Sequence, residues 1–382
     1  MKKTAINLTD GPILRSIIAF AIPIIISNIF QQLYNTADIM IVGRFLGQDA
    51  LAAVGATAAI FELIVGFSLG VGNGMGVIIA RYYGANNHRL LKRAVGATLV
   101  IGAVLSLLVA IIGSFGMYPL LQFLGTPESI IDQSYEYISI VVIGIAVTFA
   151  YNLCAGLLRA VGDSQAALYF LIIAAVLNIL LDLYFITQLH LGVQSAGIAT
   201  IIAQSFSALL CFIYIRKKVP FLLPNRNDFV WDQRLYQDLI SQGFTMGLMS
   251  SIVSIGTVIL QSAINKLGMT IISAQISARR IMSFALLPMA AISTSMTTFT
   301  SQNFGAKQFR RIQKGVKQAC LLSFVWSIIV AILLFFTSPF LTSLISGSTN
   351  PNLIANASLY LQISSCFYPV LGCLLILGNS LQ

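Results

Sequence analysis

Apolar residues run along this chain in ten long blocks separated by short polar or turn-forming stretches, at about residues 14–40, 51–79, 94–113, 134–158, 166–187, 193–215, 238–263, 269–299, 316–337 and 354–380. A helix needs roughly 20 apolar residues to cross the ~30 Å hydrocarbon core of a bilayer, and each block is about that long or longer. Backbone groups in hydrocarbon must be hydrogen-bonded within their own segment, so such blocks are read as α-helices. The pattern predicts an all-α polytopic membrane protein with ten spans.

The pattern also repeats. The loop after the second block reads Ala80-Arg81-Tyr82-Tyr83-Gly84-Ala85-Asn86, and that after the eighth reads Ser301-Gln302-Asn303-Phe304-Gly305-Ala306-Lys307, 221 residues later. The same offset pairs Leu46-Gly47 with Leu267-Gly268, Ala53 with Ala274 and Arg89 with Arg310; a two-residue slip then pairs Tyr137 with Tyr360 and Arg159 with Gln382. Six spans lie between equivalent positions, an even number, so both copies enter the bilayer in the same direction. Parallel repeats about an axis along the membrane normal are one of the geometries of secondary transporters. Residues 1–215 are thus expected to form a six-span first lobe, 216–236 (with Pro220, Pro224 and Asn225) a polar linker, and 237–382 a second lobe of four spans. Against six spans in the first copy, the second is expected to be short by two.

Composition sharpens this. Hydrophobic residues make up 57% of the chain and charged residues 9%, against about 25% charged in a soluble domain. Soluble enzymes, DNA-binding domains and disordered chains are excluded. The net charge of +10 could suggest a nucleic-acid partner, but its distribution says otherwise. Eighteen of the 22 Lys and Arg fall in loops on one side, only Arg44 and Lys266 on the other, and Arg279 and Arg280 within the eighth span. The positive-inside rule then puts the N-terminus in the cytoplasm of a cell whose inner or plasma membrane holds the protein. No nucleic-acid partner is expected; the lipid bilayer is, and a monomer. The five cysteines sit in apolar stretches without C-x-x-C spacing and read as small core residues. Met1-Lys2-Lys3 precedes an apolar run without a cleavage site, so the first span reads as retained.

Charges inside hydrocarbon are costly and each needs a reason. None of the twelve acids lies beyond Asp238, and the candidates within spans are Asp38, Glu62 and Asp182. Any carboxylate-based ion site must therefore be in the first lobe. On the first span Asn28, Gln31, Gln32, Asn35 and Asp38 recur every three or four residues, a stripe that lipid would reject. Asn178 and Asp182 share a face of the fifth span, and Thr200 and Gln204 a face of the sixth. Two carboxylates with an amide and a hydroxyl suit a proton or a hard cation such as Na⁺, and two carboxyls in one pocket titrate as a pair. Glu62, Arg279 and Arg280 are open between structural roles and contact with a transported molecule, as are Gln31 and Asn35 further along the stripe.

Other motifs carry less. Gly70-Val-Gly-Asn-Gly-Met-Gly76 looks like a nucleotide loop, but no strand precedes it, and small residues in a membrane helix favour close packing. Asp49, Glu128, Asp132 and Asp163 fall at helix ends, as caps do. His88 and His190 are isolated, and no Ser/His/Asp or Cys/His set is available for nucleophilic catalysis. An intramembrane aspartyl protease also uses two membrane acids, but its Y-D and G-x-G-D motifs are incomplete at Ala37-Asp38 and at Ala160-Val-Gly-Asp163. Neither an enzyme nor a cofactor is expected.

Six segments in register resemble the multidrug and toxic compound extrusion (MATE) transporters: Asp38 to Gly43 with Leu46-Gly47 and Ala50 to Ala53, Tyr83-Gly84-Ala85, Leu157-Leu-Arg159 to Gly162-Asp163, Asn178 to Asp182, and Gly192 to Gly197-Ile-Ala-Thr200. The resemblance spans essentially the whole chain. It implies two six-helix lobes in a V and export of drugs or organic cations by alternating access, coupled to Na⁺ or H⁺. It also implies a cation site formed by Asp38, Asn178, Asp182 and Thr200, with a substrate cleft to which Gln31, Asn35, Glu62 and Arg280 are assigned. Leu183, Ala160 and Ser195 stand where the family commonly has Pro, Gly and Gly, which bears on local helix bends. The seventh and tenth spans lack acids that some members carry, which fits coupling in the first lobe. Within the same superfamily, a lipid-linked sugar flippase is the alternative; its pyrophosphate needs a strongly cationic cavity, and only Arg279 and Arg280 are available here.

Overall fold

A computed structural model describes residues 6–264, 267–348 and 350–381; Lys2, Lys3, Lys266 and Gln382, used above for sidedness and for the repeat, lie outside them. The described residues form α-helices and two short 3-10 turns, with no strand among them. In chain order the helices are α1 (Ile13–Phe45), α2 (Gln48–Gly84), α3 (His88–Phe123), α4 (Glu128–Ile143), α5 (Ile145–Ala160), α6 (Ser164–Thr187), α7 (Gln194–Lys218), α8 (Gln233–Ile264), α9 (Met269–Gly305), α10 (Phe309–Ser346), α11 (Pro351–Cys366) and α12 (Tyr368–Ser380).

Eight helices are individually long and apolar enough to cross a membrane, and the bent pairs α4–α5 and α11–α12 are so when each is taken together, giving up to ten among the described residues if each pair is one span. The expected fourth and tenth spans are therefore not straight helices: they bend by 49° and 51°. At Gly144 a side chain would run into Ile201 of α7, so glycine lets the bend nest against its neighbour. At the second break Pro369 has no N–H to donate to the carbonyl four residues earlier, and the helix restarts at Tyr368. Several helices also extend beyond the apolar blocks, because the hydrogen-bond ladder continues outside hydrocarbon while the hydropathy pattern does not.

The repeat is visible in the element bounds. α2 and α9 begin and end 221 residues apart, and α4 and α11 begin and end 223 apart. Gly47 and Gly268, ahead of α2 and α9, both take φ near +90°, a conformation that favours glycine. The two bends, at Gly144 and Phe367, fall 223 residues apart, where the slip predicts them.

The chain forms two compact units, one containing residues 26–255 and the other residues 6–25 and 256–382. Their boundaries do not follow the linker: the first part of α1 belongs to the second unit, and the first part of α8 to the first. α1 changes unit two residues after its internal Pro23. In the first unit α2, α4, α5 and α7 pack on one another with α3 alongside and α6 against α7, around a core that includes Met75, Leu121, Ile138, Phe149 and Leu158.

The glycine run of α2 makes this packing close. A Cβ at Gly70 would lie 2.6 Å from the Met246 carbonyl oxygen, and one at Gly74 would meet the Gln242 carbonyl, both on α8. A Cβ at Gly72 would lie 3.1 Å from the Asn152 carbonyl oxygen of α5, whose Gly156 in turn abuts the Gly72 carbonyl. Alternate glycines thus serve two different neighbours, which is a helix-packing role. In the second unit one core joins Leu8, Ile17 and Phe20 to Met296 and Phe299, and another joins Ala274 and Met289 to Leu361 and Tyr368.

Candidate cation site

Three helices of the first unit bring the predicted ion-binding residues together. Asp38 is near the end of α1, Asn178 and Asp182 are one turn apart on α6, and Thr200 is in the second turn of α7. They are 9%, 2%, 0% and 9% exposed, respectively. α6 and α7 are adjacent, and the Asn178 amide Nδ2 donates to Thr200 Oγ1 at 3.2 Å. That bond turns the Asn178 carbonyl oxygen the other way, where it has no donor among the described residues.

The Asp38 and Asp182 carboxyls lie within electrostatic range of each other. Two ionised carboxylates buried this close repel, and a proton or a cation relieves that repulsion. Both oxygens of Asp182 and Oδ1 of Asp38 lack any protein donor among the described residues. Buried carboxylates without partners cost several kcal/mol. The site therefore has an oxygen-rich shell that calls for a positive component, which a proton on the carboxyl pair or a small hard cation supplies.

Alongside lies a cavity of ≈ 40 Å³ whose wall includes Gln31, Tyr34, Asn152, Asn178, Thr200 and Gln204. It has room for about two waters or a small ion, far below the roughly 300–1,000 Å³ of a drug-sized pocket. Thr148 Oγ1 donates to Gln204 Oε1 at 2.6 Å, and Asn152 Nδ2 to Ser68 Oγ at 3.1 Å, so α2, α5 and α7 line it with fixed dipoles. Tyr34 and Tyr137 lie within electrostatic range of both aspartates.

The remaining predicted residues separate. Gln31 lines this small cavity, Asn35 is half-buried, and Gln32 of the same stripe is exposed. Glu62 on α2 and Arg280 on α9 are exposed, and among the described residues no hydrogen bond or ion pair engages either side chain. Asp163 caps α6 through the Ala166 amide and accepts from the Tyr214 hydroxyl at 2.7 Å, as its helix-end position implies. His88 packs edge-on against Phe221. Cys366 is exposed, contrary to its reading as a core residue.

Tyr34, Tyr137, Thr148 and Asn152 are site neighbours that sequence reasoning does not single out. Tyr34 sits one turn before Asp38 on the polar stripe, and Thr148 and Asn152 are one turn apart on α5, so helical spacing holds a signal for three of the four. For Tyr137 there is none beyond its repeat partner.

The family model described as MatE matches residues 23–184 and 246–382. A probable multidrug resistance protein, YoeA, of Bacillus subtilis is 29% identical over 92% of this chain and 77% of its own length. An FAD transporter of Shewanella oneidensis is 26% identical over 98% of this chain and 83% of its own. A crystal structure of MATE in the bent conformation superposes with a TM-score of 0.88 at 22% identity, covering 100% of this chain and 86% of that one.

Proposed function

The chain belongs to the MatE family of multi-pass membrane transporters, and on that premise we propose that it is a cation-coupled antiporter that exports small organic molecules. The observation that carries this reading is the buried Asp38–Asp182 pair, three of whose oxygens lack a protein donor and so suit a proton or a cation. Asp38 and Asp182 hold the coupling ion, with Asn178 and Thr200 supplying neutral oxygens. Na⁺ and H⁺ both suit this donor set, and either acts as cargo rather than as a resident cofactor. The ion couples to transport because the site needs α1, α6 and α7 in one arrangement, and occupancy favours the conformations that retain it.

Residues 1–215 and 237–382 act as two lobes that alternate access in the inner or plasma membrane, with 216–236 as their cytoplasmic linker. The ≈ 40 Å³ cavity is too small for a drug, so the exported molecule is assigned to a path that extends beyond it, with Gln31 at the cavity wall and Asn35, Glu62 and Arg280 as further contacts. The resemblance to a probable multidrug resistance protein and to an FAD transporter supports a path for small organic molecules, and the exposed acid Glu62 and base Arg280 suit polar cargo. The protein works as a monomer.

The test is transport by the full chain in proteoliposomes, with Na⁺ and proton gradients imposed separately. One gradient drives substrate movement in the wild type, and Asp38→Asn abolishes it while leaving the folded protein intact. Gradient-driven transport by Asp38→Asn at the wild-type rate would overturn the mechanism.

A further inference from the structure

Ahead of α1, residues 6–12 belong to the second unit and are fastened there chiefly by one side chain, Arg311. Arg311, in the first turn of α10, donates from Nη1 to the Gly11 carbonyl at 2.8 Å, from Nη2 to the Asp10 carbonyl at 2.9 Å, and from Nε to the Leu8 carbonyl at 3.3 Å. Asn303 of α9 adds a bond to the Leu8 carbonyl at 3.0 Å. The Leu8 side chain is wholly buried beside Phe299 and Met296, and the guanidinium lies 5.7 Å from the centre of the Phe299 ring. A planar fork with five donors can serve three carbonyls at once, which a lysine ammonium cannot do in the same geometry.

This clamp is not a property of the repeat. Arg310 has its equivalent in Arg89, both exposed, whereas Arg311 stands where the first copy has Leu90. The segment ahead of α8 is held differently, by Phe221 stacked on Tyr83 with its ring centroid 5.9 Å away and by the buried Leu222. The arginine clamp therefore distinguishes α1, the helix that begins in the second unit and ends in the first with Asp38 near its end.

We propose that Arg311 is a positioning residue for transport: its clamp on residues 8–11 fixes the starting end of α1 to the second unit, so that ion-dependent change at Asp38 is transmitted along α1 rather than dissipated. This rests on the reading of Asp38 as part of the coupling site. A helix can relay displacement only if its far end is held, and the four bonds to backbone carbonyls hold it whatever side chains the segment carries.

The experiment compares wild type, Arg311→Ala, Arg311→Lys and Asp38→Asn as full chains in proteoliposomes, reading Vmax and KM of gradient-driven substrate transport. Equilibrium binding of Na⁺ and substrate, and hydrogen exchange over residues 6–12, are measured alongside. Arg311→Ala is expected to free the segment and lower Vmax at least tenfold with KM and binding unchanged, and Arg311→Lys to fall between it and wild type. Wild-type Vmax with a freed segment would overturn the proposal. If Arg311→Ala does not fold, Arg311→Lys decides: a lowered Vmax at unchanged KM supports the anchor, and an unchanged Vmax, or loss of binding together with rate, overturns it. Normal transport by Asp38→Asn would instead defeat the coupling reading, whereas inactive Asp38→Asn with fully active Arg311→Ala defeats the anchor alone.

Discussion

Thr200 is the site residue whose substitution separates the two candidate coupling ions. Replacing it with valine keeps shape and volume but removes one neutral oxygen and leaves the Asn178 amide without its acceptor. If Na⁺ is bound, the half-saturating Na⁺ concentration in flux measurements should rise about tenfold, the equivalent of ~1.4 kcal/mol; if a proton is bound, the pH dependence should stay with the carboxyl pair and hardly move. Asp182→Asn should match Asp38→Asn in abolishing gradient-driven flux, and the double variant should be no worse than either, because two groups that share one ion act as a unit. Much of this site was legible in the sequence. A carboxylate in hydrocarbon announces itself, and spacings of three and four residues told which face of each helix carried polar groups. Helical spacing did not tell which polar residues would be enclosed: Gln32 belongs to the same stripe as Gln31 and is exposed. Enclosure depends on what a neighbouring helix covers, which no local pattern records.

Helix packing makes its own predictions. Gly74→Ala should destabilise the protein by roughly 1–3 kcal/mol, as overpacking does, because the new methyl meets the backbone of α8 at Gln242 and Gly243 rather than a side chain that can turn away. Gly55, on the same helix, has nothing within 4 Å of where a methyl would stand, so Gly55→Ala should be neutral or stabilising by about 0.4–1 kcal/mol. Thermal unfolding in detergent distinguishes the two. The sequence marked the glycine run as a packing motif but not its division, with Gly70 and Gly74 toward α8 and Gly72 toward α5. The bends were hidden for a similar reason: hydropathy averages over a whole span and is blind to a 49° change of direction at one residue. Pro369 was a local sign of the second break, whereas Gly144 becomes informative only once Ile201 is known to lie against it.

For the whole molecule, the distribution of Lys and Arg predicts an orientation. With the five native cysteines replaced, a cysteine in place of the exposed Asn227 should react with a membrane-impermeant thiol reagent only from the cytoplasmic side, and one in place of the exposed Gln188 only from the other. Labelling of both from one side would contradict the sidedness drawn from the basic loops. The sequence by itself determined the membrane class, up to ten spans, the repeat and its offsets, and which acids had to be accounted for. Hydrocarbon imposes those constraints on each residue locally, so they leave a local record. Only the tertiary structure decided that Asp38 and Asp182, 144 residues apart, come within electrostatic range of each other, that the first parts of α1 and α8 are exchanged between the compact units, and that Arg311 holds a segment some 300 residues earlier in the chain. These are pairings between distant positions, chosen by shape and by unsatisfied backbone groups, and none is written in the order of residues around any one of them.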